Sequence, residues 1–499
     1  MTLDYLIIGA GPAGLQLGAL LEADGDSDYL ILEAADVPGA FFRTFPRHRQ
    51  LISINKPHTG TSDPELNLRL DWNSLLSSED LLFTSYTGRY FPDADVMVRY
   101  LADFAAKTGV KIRYNARVTR VFRRDGVFVV VAGGEEHHAR RVIMATGVSR
   151  MNIPDIPGIE LAERYDTMPT DPAGYEDQRV LILGKGNSAF ETADALIETT
   201  TLIHVAGPSS VRLAWRTHFV GHLRAVNNNF LDTYQLKSAN AVLDGTVRGI
   251  AKDGDELVVT FAFSRANEVT KQLRYDRVLA CTGFAFDASV FDETCRPELA
   301  INDRFPAQTA AWESVNIPGL YFAGTITQQR DFKKSTSGFI HGFRYAVRAL
   351  HKVLKQEWPA RQVDPTAAAI TAAVIERVNR SSALWQQFGF LADIVLPDGR
   401  YLEEMPVALF HDNHPDGLVV TLEYGPDHDQ VDPFDITVSR IAQDTPGQAH
   451  DAAYLHPVVR AYAGGQLAGT HHLAENLENR WDRPDVHVAP LTAFLARHL

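Results

Sequence analysis

The chain has 499 residues, 45% hydrophobic and 22% charged, too many for one hydrophobic core, so two or three domains are expected. A formal net charge of −14 argues against nucleic acid or an anionic membrane as the main partner, and no apolar run reaches the roughly 18–20 residues of a membrane helix. The opening residues read as a strand and not as a signal peptide, and Cys281 and Cys295 form neither a disulfide framework nor a CxxC pair, so a cytoplasmic enzyme is expected.

In chain order, residues 3–8 (LDYLII) predict a short buried strand that runs into Gly9-Ala10-Gly11-Pro12-Ala13-Gly14. Residues 15–23 follow as a helix, and 29–32 as a second strand ending on Glu33. This is a βαβ unit with a GxGxxG turn. The first glycine permits the tight turn, the second admits a pyrophosphate to the backbone, and the third lets helix and strand pack closely. The helix start offers free N–H groups to phosphate. Glu33 sits where a carboxylate reaches ribose hydroxyls.

The pattern returns at 179–183, followed by Gly184-Lys185-Gly186-Asn187-Ser188-Ala189, a helix over 190–198 and a strand over 202–205. Strands ending in Ala145-Thr146-Gly147, in Cys281-Thr282-Gly283 and in Gly324-Thr325 read as crossings between a first fold and one inserted in it. The expected architecture is α/β, with two nested Rossmann-like dinucleotide-binding domains. Residues 1–168 with 297–356 form the first, for FAD, and 169–296 form the second, for NAD(P)H. Residues 356–368, with two prolines, read as a linker, and 369–499 as a separate α+β appendage. A helix over 338–355 is expected to start at the flavin, with Gln328, Arg330, Lys333 and Lys334 before it.

The second strand of the inserted fold ends without an acid to repel a 2′-phosphate, and Ser209, Ser210 and Arg212 lie near. NADPH is therefore favoured over NADH. Two nucleotide folds, one interrupted by the other, imply that one cofactor passes hydride to the other.

These motifs resemble the two-dinucleotide-binding flavoproteins, and more closely the class B flavin-containing monooxygenases. The stretches that carry the resemblance are 9–14, the GxGNSA turn at 184–189, the paired Ala145-Thr146-Gly147 and Cys281-Thr282-Gly283-Phe284, and Leu51-Ile52-Ser53-Ile54-Asn55-Lys56. Along its whole length, through residues 41–48, 54–60 and 471–479, the chain is similar to the FAD-dependent oxidoreductase domain-containing protein 2 group. The resemblance implies FAD contacts at Gly9, Gly11, Pro12, Ala13, Gly14, Glu33, Ala34, Phe42, Arg43, Ser53, Val118, Ala145, Thr146, Gly147, Gly324 and Thr325. It implies nicotinamide-dinucleotide contacts at Gly184, Gly186, Asn187, Ser188, Ala189, Arg212, Thr282 and Gly283. It also places Asn55 beside the flavin, its amide donating to the nicotinamide and to a C4a-(hydro)peroxyflavin, with Lys56 next to it. The histidine motif that class B enzymes carry before the second turn is missing from 161–167, so the resemblance stops short of the substrate.

Without a dithiol, dioxygen is the expected acceptor. The leading expectation is an NADPH-dependent monooxygenase acting on a small metabolite, most simply at an amine nitrogen. A flavoprotein oxidase or electron-transfer protein, with a protein partner on the C-terminal domain, is the alternative. A third reading is a binding protein that keeps FAD structurally. No metal is expected, although His471, His472 and Glu475 have helical spacing. Arg43, Arg47 and Arg49 read as an exposed basic loop, His58 and Asp63 as weaker site candidates, and a homo-oligomer stays open.

Overall fold

The computed structural model describes residues 2–499 except 236–239, 265, 268, 439 and 440. Thr2–Ile8 lies inside a seven-stranded sheet, parallel to Tyr29–Leu32 on one side and to Glu135–Met144 on the other. Leu320–Phe322 returns from late in the chain to pair with Glu135–Met144. Leu6, Ile7 and Ile8 are all buried, because helices and strands cover both faces and leave no polar alternation. Pro12–Asp24 starts with proline in its first turn and stops at Gly25, whose φ of 68° ends it in the left-handed region. Ala94–Thr108 buries Met97, Tyr100, Leu101 and Phe104 on one stripe, the spacing of an amphipathic helix. The helix expected from 338 begins at Ile340 and runs to Lys355. It packs on Pro12–Asp24, with Gln16 Nε2 donating to the Arg344 carbonyl at 2.6 Å.

The second sheet also has seven strands. Arg179–Leu183 lies between Leu202–Gly207 and Arg277–Ala280, all parallel. Glu163–Arg164 pairs with Arg277–Ala280, so this sheet already begins before the expected boundary at 168. Ala241–Asp253, Glu256–Phe263 and Thr270–Tyr275 extend the other edge.

A third, antiparallel sheet of six strands forms the C-terminal α+β unit. Ala360–Gln362, inside the stretch read as a linker, is its edge strand. Nor is the unit a free appendage. Arg69 Nη2 donates to the Val378 and Ser381 carbonyls at 3.1 and 3.3 Å, and Gln386 Nε2 donates back to the Arg69 carbonyl at 2.6 Å. The two prolines, Pro359 and Pro365, flank the short edge strand without lying in it, so they did not exclude a strand between them.

A buried ionic network backs this junction. Arg377 holds Asp393 at 2.6 Å, and Asp393 also accepts from the Glu404 N–H and the Tyr401 hydroxyl. Glu404 in turn takes both arms of Arg348, from the helix of the first fold, at 2.8 and 2.6 Å. The Asp393 side chain is fully buried. Removing one member leaves charge without its partner, so Asp393→Ala should lower unfolding free energy by about 3–5 kcal/mol. Urea titration followed by tryptophan fluorescence checks this; a loss under about 1 kcal/mol would mean that water screens the network.

Candidate functional site

The first glycine turn shows which glycines the protein needs for itself. A Cβ on Gly14 would lie 2.0 Å from the Gly9 carbonyl oxygen, and Gly9 has φ 105° with its Cβ direction 2.8 Å from the Ala145 oxygen. Both must be glycine for the backbone to close. Gly11 differs: its backbone is extended (φ −74°, ψ −179°) and a Cβ would meet only the Ala145 oxygen, at 3.9 Å. Nothing in the chain demands glycine there, and the space a side chain would fill opens above the start of Pro12–Asp24. The residues fit the pyrophosphate of a dinucleotide.

Beside this cradle lies a cleft of about 290 Å³, lined by Gly9, Gly11, Glu33, Ala34, Val118, Ala145 and Thr146. Glu33 accepts from the Ala10 and Ala35 amides, at 2.8 and 2.9 Å, one on each carboxylate oxygen, which leaves a lone pair on each for a hydroxyl. Arg117, Ser149, Asp287 and Val290 also line it and were missed, because no motif marks them. Pro12 and Ala13 open the helix under the cradle, and a Cβ on Gly324 (φ 80°) would fall 2.8 Å from Ala13 Cβ. Gly147 (φ 62°) faces open space, and Thr325 supplies a carbonyl to Gln328. Phe42 packs on the core and Ser53 is half-buried. Arg43 is exposed and paired with Asp36 at 2.9 Å, and is not among the residues that line the cleft. Arg47 and Arg49 are not an exposed run either. Their guanidinium groups donate to the Met168 and Phe42 carbonyls, at 2.6 and 2.7 Å.

The second turn repeats the arrangement. A Cβ on Gly184 would lie 2.2 Å from the Cys281 oxygen, whereas Gly186 has no heavy atom within 4 Å of that position. Ala189 is fully buried under the turn. A larger cleft, about 670 Å³, is lined by Gly184, Lys185, Ser209, Arg248 and Thr282 among others. Arg212 does not line this cleft; it lies near Lys333 and His222, and its charge adds to partial burial in lowering Lys333 and, after burial and Lys333 itself, in lowering His222. The cations of the cleft are Arg248, on the third strand, and Lys185, whose ammonium pairs with Asp244. The Asn187 side chain is engaged by a neighbouring loop: Nδ2 donates to the Gly221 and His222 carbonyls, while Oδ1 accepts from Arg224 N and Asn227 Nδ2. It clasps a loop. Ser188 sits near the Tyr165 hydroxyl, and that hydroxyl donates to Glu191, whose carboxyl burial pushes up to about 7. Gly283 (φ 83°) turns the chain beside Thr282, whose hydroxyl donates to Asn152.

Asn55 is fully buried, but not as a free donor. Nδ2 donates to the Thr87 and Arg89 carbonyls at 2.7 and 3.2 Å, which takes up both amide hydrogens. Its Oδ1 is the buried atom without a partner. The group it leaves open is an acceptor, so the expected donor role does not match this geometry. Lys56 and His58 are exposed, and Asp63 caps Pro64–Leu68 and pairs with Arg380 at 2.7 Å. Arg330 donates to the Gln308 carbonyl, while Lys333 and Lys334 are exposed.

Cys281 and Cys295 are free and buried in different cores. Burial raises both thiols, that of Cys295 to about 11, so neither is poised to relay electrons. His471 and His472 lie on the strand Gln466–His472 and not on a helix. His471 stacks on Phe494 and His472 meets His456 at 2.9 Å. No group of three metal-ligating side chains occurs among the described residues.

A family model, pyridine nucleotide-disulphide oxidoreductase, matches residues 6–324. FAD-dependent oxidoreductase domain-containing protein 2 of Mus musculus is 38% identical over 99% of this chain and 83% of its own, and that of Danio rerio is 37% identical over 99% and 82%. Among solved structures, a flavin-containing monooxygenase from Stenotrophomonas maltophilia superposes with TM-score 0.56 at 20% identity, over 71% of this chain and 98% of its own. At that identity the likeness shows the fold.

The two kinds of glycine separate by substitution. Gly11→Val should fold with wild-type thermal stability yet lose FAD, because its side chain fills the phosphate cradle and nothing else. Gly14→Val should fail to fold. Visible absorbance and thermal melts of the apo forms check both, and a yellow Gly11→Val protein would refute the cradle.

Proposed function

We propose that this chain, which belongs to the pyridine nucleotide-disulphide oxidoreductase family and to the FAD-dependent oxidoreductase domain-containing protein 2 group, is an NADPH-dependent monooxygenase of a small metabolite, acting at nitrogen. The observation that carries the reading is a pair of empty-Cβ glycines, Gly11 and Gly186, each opening beside its own cleft, in a chain whose two thiols are buried apart. Bound FAD would supply two-electron transfer from the nicotinamide to dioxygen, with one oxygen atom going to the substrate and the other to water.

The chain's own groups hold these partners. Gly11 and Gly186 admit the two pyrophosphates, and the lone pairs left on Glu33 receive ribose hydroxyls. Ser209 and Arg248 in the larger cleft meet a 2′-phosphate, the part first given to Arg212. Asn55 presents Oδ1 to an N–H of cofactor or substrate. A flavoprotein oxidase that releases only peroxide is the competing reading.

NADPH should reduce the bound flavin faster than NADH. Arg248→Ala should narrow that gap by a factor corresponding to about 1.5–3 kcal/mol, the worth of a hydrogen bond to a charged group, while Arg212→Ala leaves most of it. Stopped-flow reduction at equal cofactor concentrations reads this, and equal rates in the wild type would end the NADPH assignment.

Turnover of a panel of small amines under isotopically labelled dioxygen should give one labelled atom in a product, with peroxide below the NADPH consumed. Stoichiometric peroxide with every substrate, and no label transfer, would favour the oxidase.

A further inference from the structure

Three parts of the chain meet around Trp72. The loop 53–56 reaches it through the ladder that sets Asn55 opposite Asp71, with Trp72 N donating to the Ile54 carbonyl at 3.1 Å. From the first fold, His341, second residue of Ile340–Lys355, stacks on the indole with ring centroids 4.0 Å apart. From the second fold, the Arg224 guanidinium lies over the same ring at 5.0 Å. Phe339 stacks on His341 in turn, at 5.9 Å.

The polar groups gathered there are unsatisfied. His341 is fully buried, and neither ring nitrogen has a hydrogen-bond partner. Arg224 Nη1 is likewise buried without a partner, and its side chain makes no ion pair among the described residues. Asn55 Oδ1, on the adjoining loop, has none either. Buried polar atoms are nearly always paired, and a buried guanidinium pairs with an anion. A face of Trp72 gives the cation some attraction but does not neutralise it. Arg224 is not loosely held: the Asn187 clasp fixes its backbone, N to Oδ1 at 3.0 Å. The Trp72 indole N–H is taken by the Arg69 carbonyl at 3.2 Å, so the open functions are one cation, one imidazole and one amide oxygen beside aromatic faces.

We propose that Arg224, His341 and Trp72 form a substrate-recognition site for small organic carboxylates. The fork of Arg224 matches a carboxylate with two parallel hydrogen bonds, the imidazole supplies a further donor or acceptor, and Trp72 and Phe339 line the rest. One guanidinium suits one negative charge. The site rests on the oxidoreductase reading above and adds the substrate class to it. The other anion that could reach this cation is the dinucleotide's pyrophosphate.

The test uses the FAD-loaded full chain with benzoate as probe and benzamide as its uncharged match, bound at equilibrium in dialysis and read by perturbation of the flavin spectrum. Benzoate should bind saturably and at least about tenfold more tightly than benzamide, and Arg224→Gln should weaken it by about tenfold or more, with Arg224→Lys in between. Flavin content of each variant confirms that it has folded. Saturating NADP⁺ should leave benzoate affinity unchanged. Equal binding of benzoate and benzamide, an indifferent Arg224→Gln, or competitive displacement by NADP⁺ would each overturn the proposal, the last by assigning the guanidinium to the dinucleotide. Because the measurement involves no turnover, benzoate binding without label transfer from dioxygen would defeat the monooxygenase reading alone.

Discussion

Backbone packed against backbone at two glycine turns is the contact on which the rest of the arrangement depends. At Gly14 a side chain would stand 2.0 Å from the Gly9 carbonyl oxygen of the same turn, and at Gly184 2.2 Å from that of Cys281 on the adjacent strand end, far inside any tolerable contact. The helices Pro12–Asp24 and Asn187–Leu196 therefore start directly at the carboxyl ends of their strands, and the amides at their starts face the clefts that form there. The strand ends Ala145 and Cys281, which supply the other wall of each turn, are held by the same contacts. Displacing either turn would disturb the cleft and the sheet together.

The relation between the two nucleotide folds is held by the C-terminal unit, which touches both. On the first fold it is bound through Arg69, through Glu65 to Ser382, and through Arg348 to Glu404. On the second, Tyr424 stacks on His218 at 4.4 Å and Phe434 meets Trp215 at 5.0 Å. The loop that carries His218 and Trp215 also carries Arg224, so contacts far from either glycine turn help to fix the guanidinium over Trp72. Rotation of one nucleotide fold against the other would have to break buried charged bonds on one side or aromatic stacking on the other. The third unit thus braces the junction from both sides.

The nested nucleotide folds were legible in the sequence because their signals are local: a strand, a turn with glycines at fixed offsets, a helix and a second strand fit within a short span. Ala145-Thr146-Gly147 and Gly324-Thr325 were readable for the same reason. What the sequence hid is what only the assembled chain brings together. Arg248 reaches its cleft from a strand without a motif, and Asp287 lines the other cleft from the last stretch of residues assigned to the inserted fold. Arg212 looked right because it follows the correct strand, yet its loop carries it toward Lys333. Asn187 lies within the turn motif, and only the structure shows its four hydrogen bonds directed at the loop 221–227. His471 and His472 had helical spacing on paper, but a strand sends adjacent side chains to opposite faces.

Asn55 shows how a motif can single out a buried residue whose open atom is not the one the motif suggests. The stretch around it was enough to single it out, and burial of the whole side chain agrees with a constrained setting. An amide has two hydrogens to give, however, and here the Thr87 and Arg89 carbonyls receive both. An amide in that state can accept a nitrogen-bound proton but cannot steady a developing oxygen anion. Any donor to oxygen at the junction must come from elsewhere, and the groups still open there are Arg224 and His341. A cation and an imidazole differ from a neutral amide in a way that bears on substrate choice, since the cation attracts an anion from solution before any chemistry begins. The unmet valences around Trp72 come from both nucleotide folds, so whatever these groups bind would meet both folds at once.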